Sequence, residues 1–130
     1  MSYYFNTVLE GKSFEEAREK VTEELKKEGF GILTEIDMKK TLKEKIGADF
    51  KRYTILGACN PNYAYKALQD EDKIGVFLPC NVIVEEAGEG KVEISIVDPI
   101  ASMMSITNEK LETIATEVKD KLIRVIHNVK

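Results

Sequence analysis

The segment IGVFLPCNVIVEEAGEGKVEISIV, residues 74–97, decides the fold because it has the pattern of two strands joined by a short turn. The apolar run at residues 74–86 predicts the longest strand of the protein. Glycines at 88 and 90 predict a hairpin connection. Residues 92–97 then alternate apolar with polar side chains, which is typical of a strand with one face exposed to solvent. The segment therefore predicts a β-hairpin within a larger sheet.

The chain before this hairpin predicts three more strands, each followed by a helix. We expect the strands at residues 3–10, 31–36 and 50–58. The first helix begins at Ser13, where Glu16 completes a capping box, and it ends at Gly29. The second is capped by Asp37 and stopped by Gly47, and the third spans about 60–70.

A long amphipathic helix is expected at the C-terminus, from about residue 108 to 127. Its apolar stripe has helical spacing and must pack on the sheet. The stripe consists of Leu111, Ile114, Ala115, Val118, Leu122, Val125, Ile126 and Val129. The order of elements predicts an α+β sandwich that forms a single domain over residues 1–130. We expect a five-stranded mixed sheet with its helices packed mainly on one face.

Composition narrows the class of protein. The chain has 130 residues, of which 43% are hydrophobic, so it can bury a core. Its net charge of -4 and the lack of a basic stripe predict no nucleic-acid partner. The N-terminus has no basic region of a signal peptide, and the longest apolar run is too short to cross a bilayer. We therefore expect a cytoplasmic protein with no membrane partner, whose two cysteines are free thiols.

Familiar catalytic motifs are missing from the sequence. It contains no glycine-rich dinucleotide or phosphate loop, no H-E-x-x-H and no C-x-x-C. The only histidine, His127, falls in the last turn of the last helix, where its charge suits the helix dipole. These absences leave the cofactor unknown and the question of enzymatic activity open.

Two similar motifs remain, Cys59-Asn60 and Cys80-Asn81. Cys59 comes directly before a helix start, which favours a thiolate and predicts that it is the more acidic cysteine. A parallel crossover between the strands that hold the motifs would bring the two thiols to similar height. Their Cα atoms would then be about 4.4–6.8 Å apart, so the thiols could cycle as a dithiol or bind a soft metal.

Structural explanations compete with these functional ones. Cys80 shares its strand face with valines and leucine, so it can be a small core residue. Asn60 is explained as a helix cap, with Pro61 as the first helical residue. Asn81 points opposite to Cys80 and needs a partner if it is buried. The candidate ligand-binding residues are Cys59, Asn60, Pro61, Cys80 and Asn81, and a metal would be held by the two cysteines.

Three classes of function stay open on this evidence. The first is a module that binds a small molecule or a soft metal around the two motifs. The second is a thiol-redox or thiol-transfer enzyme in which Cys59 attacks and Cys80 resolves. The third is a purely structural or interaction domain, in which the motifs only build the fold.

Self-association is expected from the second face of the sheet. Phe77 and Ile83 are expected on the strand face opposite Cys80. Glu93 and Ser95 are expected on the solvent-exposed face of the last strand. Helices that cover one face leave the apolar side chains of the other without cover. A symmetric homodimer is the commonest way to cover them.

The motifs resemble those of a bacterial and archaeal family called domain of unknown function 302. The likeness rests on YTILGACNP at 53–61, LPCNV at 78–82 and Asp98-Pro99, and it extends over nearly the whole chain. The resemblance implies a compact α+β domain that is commonly a homodimer, with no established activity. It implies no catalytic residue, and it puts both Cys-Asn motifs at positions characteristic of the family.

Overall fold

The structure is a computed structural model that describes residues 2–130. Its five strands are β1 (Tyr4–Glu10), β2 (Gly31–Asp37), β3 (Tyr53–Cys59), β4 (Cys80–Glu86) and β5 (Lys91–Val97). Its helices are α1 (Phe14–Lys27), α2 (Met38–Ile46), α3 (Pro61–Asp70), α4 (Pro99–Ser102) and α5 (Glu109–Asn128), and a 3-10 helix covers Asp72–Phe77. No helix within residues 2–130 is long and apolar enough to span a membrane.

The sheet is antiparallel throughout, with the strand order β1-β5-β4-β3-β2. The expectation of a mixed sheet is therefore wrong, whereas the α+β class and the five strands are confirmed. The difference arises between β3 and β4, where we expected a parallel crossover. Ala58 pairs with Cys80, so the chain leaves β3 and re-enters the sheet at the same end. The next strand must then run back along its neighbour.

The apolar run at 74–86 is not one strand. Its first part forms the 3-10 helix, and β4 begins only at Cys80. Ile74 is fully buried against Ala67 of α3 and Leu111 of α5, whereas Val76 is 81% exposed. A short apolar run in the sequence cannot distinguish a buried strand from a helical turn in which a single residue packs into the core. The predicted strand was too long for this reason.

Helices α1 and α5 cover one face of the sheet, which we call the core face. Successive residues of a strand point to opposite faces. Leu56, Val82 and Ile94 lie on the core face and are fully buried beneath Leu25 of α1 and Leu122 of α5. The opposite face, which we call the open face, carries Ile83 and other residues that stay partly exposed.

The predicted caps of α1 and α2 are confirmed. Ser13 Oγ accepts a hydrogen bond from the Glu16 amide at 3.1 Å, and the Ser13 amide donates to Glu16 Oε1 at 3.0 Å. Asp37 Oδ1 accepts from the Lys40 amide at 3.0 Å. Gly47 ends α2 with φ +67°, a left-handed conformation that glycine adopts at low cost. These local signals are strong because they depend only on neighbouring residues.

Candidate functional site

An apolar cavity of about 40 Å³ lies between the end of the β3–β4 pair and helices α3 and α5. Residues of both Cys-Asn motifs line it, namely Cys59, Asn60 and Cys80, and Ala64 and Ile114 form part of the helical side. A cavity that binds benzene is about 150 Å³, so this space suits an ion or a ligand of a few atoms.

The strand register gives the two cysteines different faces of the sheet. Ala58 is paired with Cys80 and Gly57 with Asn81, and directly paired residues share a face. Cys80 therefore lies on the core face with Ala58, while Cys59 follows Gly57 on the open face at the strand end. The expected parallel crossover is absent, but the antiparallel register still makes the two residues neighbours, because Cys59 directly follows the partner of Cys80. Both cysteines are free thiols.

Burial controls the protonation of both cysteines. It raises the pKa of the Cys59 thiol, and it raises the pKa of Cys80 to about 11, with the nearby Cys59 as a second cause. Burial therefore acts against the thiolate that the helix start was expected to favour at Cys59, while the order of the two pKa values, with Cys59 as the more acidic cysteine, stays a prediction. Cys80 is the more deeply buried of the two thiols.

Asn60 stands at the N-cap position of α3 but does not cap it. Its side chain turns away from the helix, and Nδ2 donates to the Glu28 carbonyl oxygen at 3.2 Å. A Cβ at Gly29 would come within 2.9 Å of this nitrogen, so the bond needs a glycine there. Asn60 thus ties the end of α1 to the start of α3, and our interpretation of it as a cap is wrong. Pro61 is the first residue of α3 and is exposed, as predicted for a helix start.

Asn81 lies on the open face and is exposed. It borders a separate groove of about 410 Å³ together with Tyr53, Ile83 and Glu85. Because water reaches its amide, Asn81 needs no buried partner, and it does not line the cavity. Of the five candidate residues, the structure brings Cys59, Asn60 and Cys80 together at the cavity and leaves Pro61 and Asn81 outside it.

Met103 also lines the cavity and was missed as a candidate. Met103 follows the two motifs by more than 20 residues, so no local pattern connects it to them. The available signal was the pair Met103-Met104 after Asp98-Pro99, whose flexible thioethers we interpreted as adaptable packing and not as a metal site. Within residues 2–130 no group of three or more His, Cys, Asp or Glu side chains could hold a metal ion. Thiol and thioether sulfur are therefore the soft donors at the cavity.

The fold and site define a two-layer α+β protein with an open antiparallel sheet and a thiol-lined apolar cavity. The chain belongs to the family described as domain of unknown function DUF302, which matches residues 5–129. It is similar to a solved structure, an uncharacterized conserved protein DUF302 from Bacillus stearothermophilus. The two share 27% sequence identity over 100% of each chain, with a TM-score of 0.90. No curated protein matches the sequence significantly.

The thiols should differ in reactivity and in pH dependence. A pKa of about 11 leaves about one Cys80 in a thousand as thiolate at pH 8, so iodoacetamide should modify Cys59 first. The rate at Cys80 should then rise about tenfold per pH unit between pH 8 and 10. Mass spectrometry of the Cys59→Ser and Cys80→Ser variants assigns each rate to one thiol. Equal rates at pH 8 would contradict the burial of Cys80.

Proposed function

We propose that this protein is a binding module for a small, soft ligand, and that the ligand occupies the cavity beside Cys80. The observation that carries the proposal is that residues from both Cys-Asn motifs line one apolar cavity. A soft ligand is one that prefers sulfur to oxygen, such as a monovalent heavy-metal ion.

The size and chemistry of the cavity support this ligand class. A volume of about 40 Å³ admits a single ion but no ring-sized organic molecule. Its walls are mainly apolar, and the Cys80 thiol on the core face supplies a group that can bind covalently or coordinate. Hard oxygen-seeking cations have no matching set of carboxylates there.

The thiol-redox alternative has less support. A dithiol cycle needs two sulfurs that can approach to bonding distance. Cys59 and Cys80 are neighbours that both line the cavity, but their side chains leave opposite faces of the strand pair and both are free thiols. No observation of the site favours catalysis over binding, so we propose binding alone.

Titration with Ag(I), a monovalent ion that prefers thiolates, tests the proposal. Because Cys59 is a free thiol that can also bind Ag(I), all variants are made in the Cys59→Ser background, which should retain one Ag(I) per chain after gel filtration, and the double variant Cys59→Ser with Cys80→Ser should lose it. Ala64→Leu should also lose it by filling the cavity from α3, whereas Gln69→Leu adds the same side chain at an exposed position of α3. Retention by the double variant equal to that of Cys59→Ser would overturn the proposal.

We also propose that the protein is a homodimer that associates through the open face. The register puts Tyr4, Val8 and Ile36 on this face with Ile83. They are large apolar side chains, with exposures of 39% for Tyr4, 46% for Val8 and 43% for Ile36. A second copy can cover them by two-fold symmetry. The family resemblance supports the same assembly.

Light scattering at micromolar concentration should therefore give the mass of two chains. Ile83→Glu puts a charge on the open face and should give a monomer that still melts cooperatively. Val76→Glu is the matched control, because Val76 is 81% exposed on the 3-10 helix outside the sheet, and it should stay dimeric. A monomer mass for the wild type would refute the proposed assembly.

A further inference from the structure

We infer that the cavity is a monovalent copper site in which the Cys80 thiolate and the Met103 thioether are the two ligands. The inference rests on the proposed function, since it names the ion and adds a second ligand to the same cavity. Cys80 and Met103 both line the cavity, one from β4 and the other from the end of α4. They approach it from different elements, so an ion between them would join the sheet to the C-terminal segment.

The position of Met103 is fixed by its own short helix. Asp98 Oδ1 accepts from the Ile100 amide at 3.0 Å and caps α4, and Asp98 Oδ2 is 3.2 Å from Lys119 Nζ of α5. The Met103 amide then donates back to the Pro99 carbonyl oxygen at 3.2 Å. The backbone is thereby held, while the unbranched side chain keeps the freedom to adjust its sulfur.

Met103 also lies between the cavity and the surface. It borders a second groove of about 320 Å³ on the outside, which Met104 lines as well. Met104 is 66% exposed, so its thioether is available to an ion in solution. An ion from solvent can therefore bind first to the Met104 thioether in the outer groove and then to the Met103 thioether, which borders both the groove and the cavity that contains Cys80.

Charge balance selects the monovalent ion. Binding of Cu(I) releases the Cys80 proton to solvent and forms a copper–sulfur bond. The ion, one thiolate and one neutral thioether sum to zero charge, which an apolar cavity tolerates. Zinc with the same ligands would leave a net positive charge and would lack its usual four ligands. Thiolate and thioether are also the donors that Cu(I) prefers.

Anaerobic titration of the full chain with Cu(I) in competition with bicinchoninate tests the inference. The wild type should bind one ion, and X-ray absorption should show a sulfur-only shell. Met103→Leu, which keeps the volume, should weaken binding about tenfold or more, because a ligand is lost. Met104→Leu is the matched control and should keep the wild-type affinity while it loads more slowly.

The variants separate this inference from the proposed function. If Met103→Leu binds Cu(I) as tightly as the wild type while Cys80→Ser loses the ion, the Met103 ligand is refuted and the cavity site stands. If Cys80→Ser also binds as the wild type does, both are refuted. Thermal melting of each apo variant should match the wild type within a few degrees, so that a loss of binding reflects a lost ligand and not a lost fold.

Discussion

Replacing Leu122 by alanine is expected to lower the free energy of unfolding by about 2–5 kcal/mol, because it opens a cavity in the core. Leu122 is fully buried in the middle of α5, where this helix crosses the core face. The loss combines the transfer of the removed methyl groups with the empty space that rigid neighbours cannot fill. Urea denaturation followed by circular dichroism measures it.

Asp120→Ala is the control for this change. Asp120 is exposed on the same helix and has no ion pair within the described chain, so its replacement should shift stability by less than about 0.5 kcal/mol. A loss well below 1 kcal/mol for Leu122→Ala would mean that the apolar stripe of α5 does not pack on the sheet.

Gly57→Ala is expected to destabilise the protein by about 1–3 kcal/mol through overpacking. A Cβ at Gly57 would overlap Thr34 Oγ1 and come within 2.7 Å of Pro79 Cγ. Thr34 can rotate its hydroxyl away, whereas Pro79 Cγ can move only as far as a change of ring pucker allows unless the backbone shifts. The strain therefore falls on the start of β4, directly before Cys80.

Gly31→Ala is the matched control on the same face of the sheet. Its Cβ would meet no atom within 4 Å, so the substitution should be close to neutral. The double variant Gly57→Ala with Thr34→Ala should recover only part of the loss, since the contact with Pro79 persists. Full recovery would show that Thr34 alone excludes a side chain at position 57.

The sequence predicts the local features of this fold well. Capping at Ser13 and Asp37 and the apolar stripe of α5 depend on residues within a few turns of one another, and all appear as expected. Strand direction between β3 and β4 depends on how α3 and the 3-10 helix turn the chain. No residue pattern encodes that turn directly, and the mixed sheet was predicted for this reason.

At the candidate site, too, the local features could be predicted from the sequence and the tertiary contacts could not. Two Cys-Asn motifs were sufficient to locate one end of the sheet, and Cys59, Asn60 and Cys80 do meet at one cavity. Whether the two thiols share a face depends on register, which a one-residue shift reverses. The hydrogen bond of Asn60 to Glu28 joins residues 32 positions apart, and Met103 reaches the cavity from another element. Such tertiary contacts leave no local signal.

A crystal structure of the silver-loaded protein, with Ag(I) located by its anomalous scattering, tests directly whether the ligand occupies the cavity beside Cys80. We expect one strong peak inside the cavity, bonded to Cys80 Sγ and enclosed by α3 and α5. A peak bonded to Cys59 alone, with no ion at Cys80 Sγ, would contradict the proposed function.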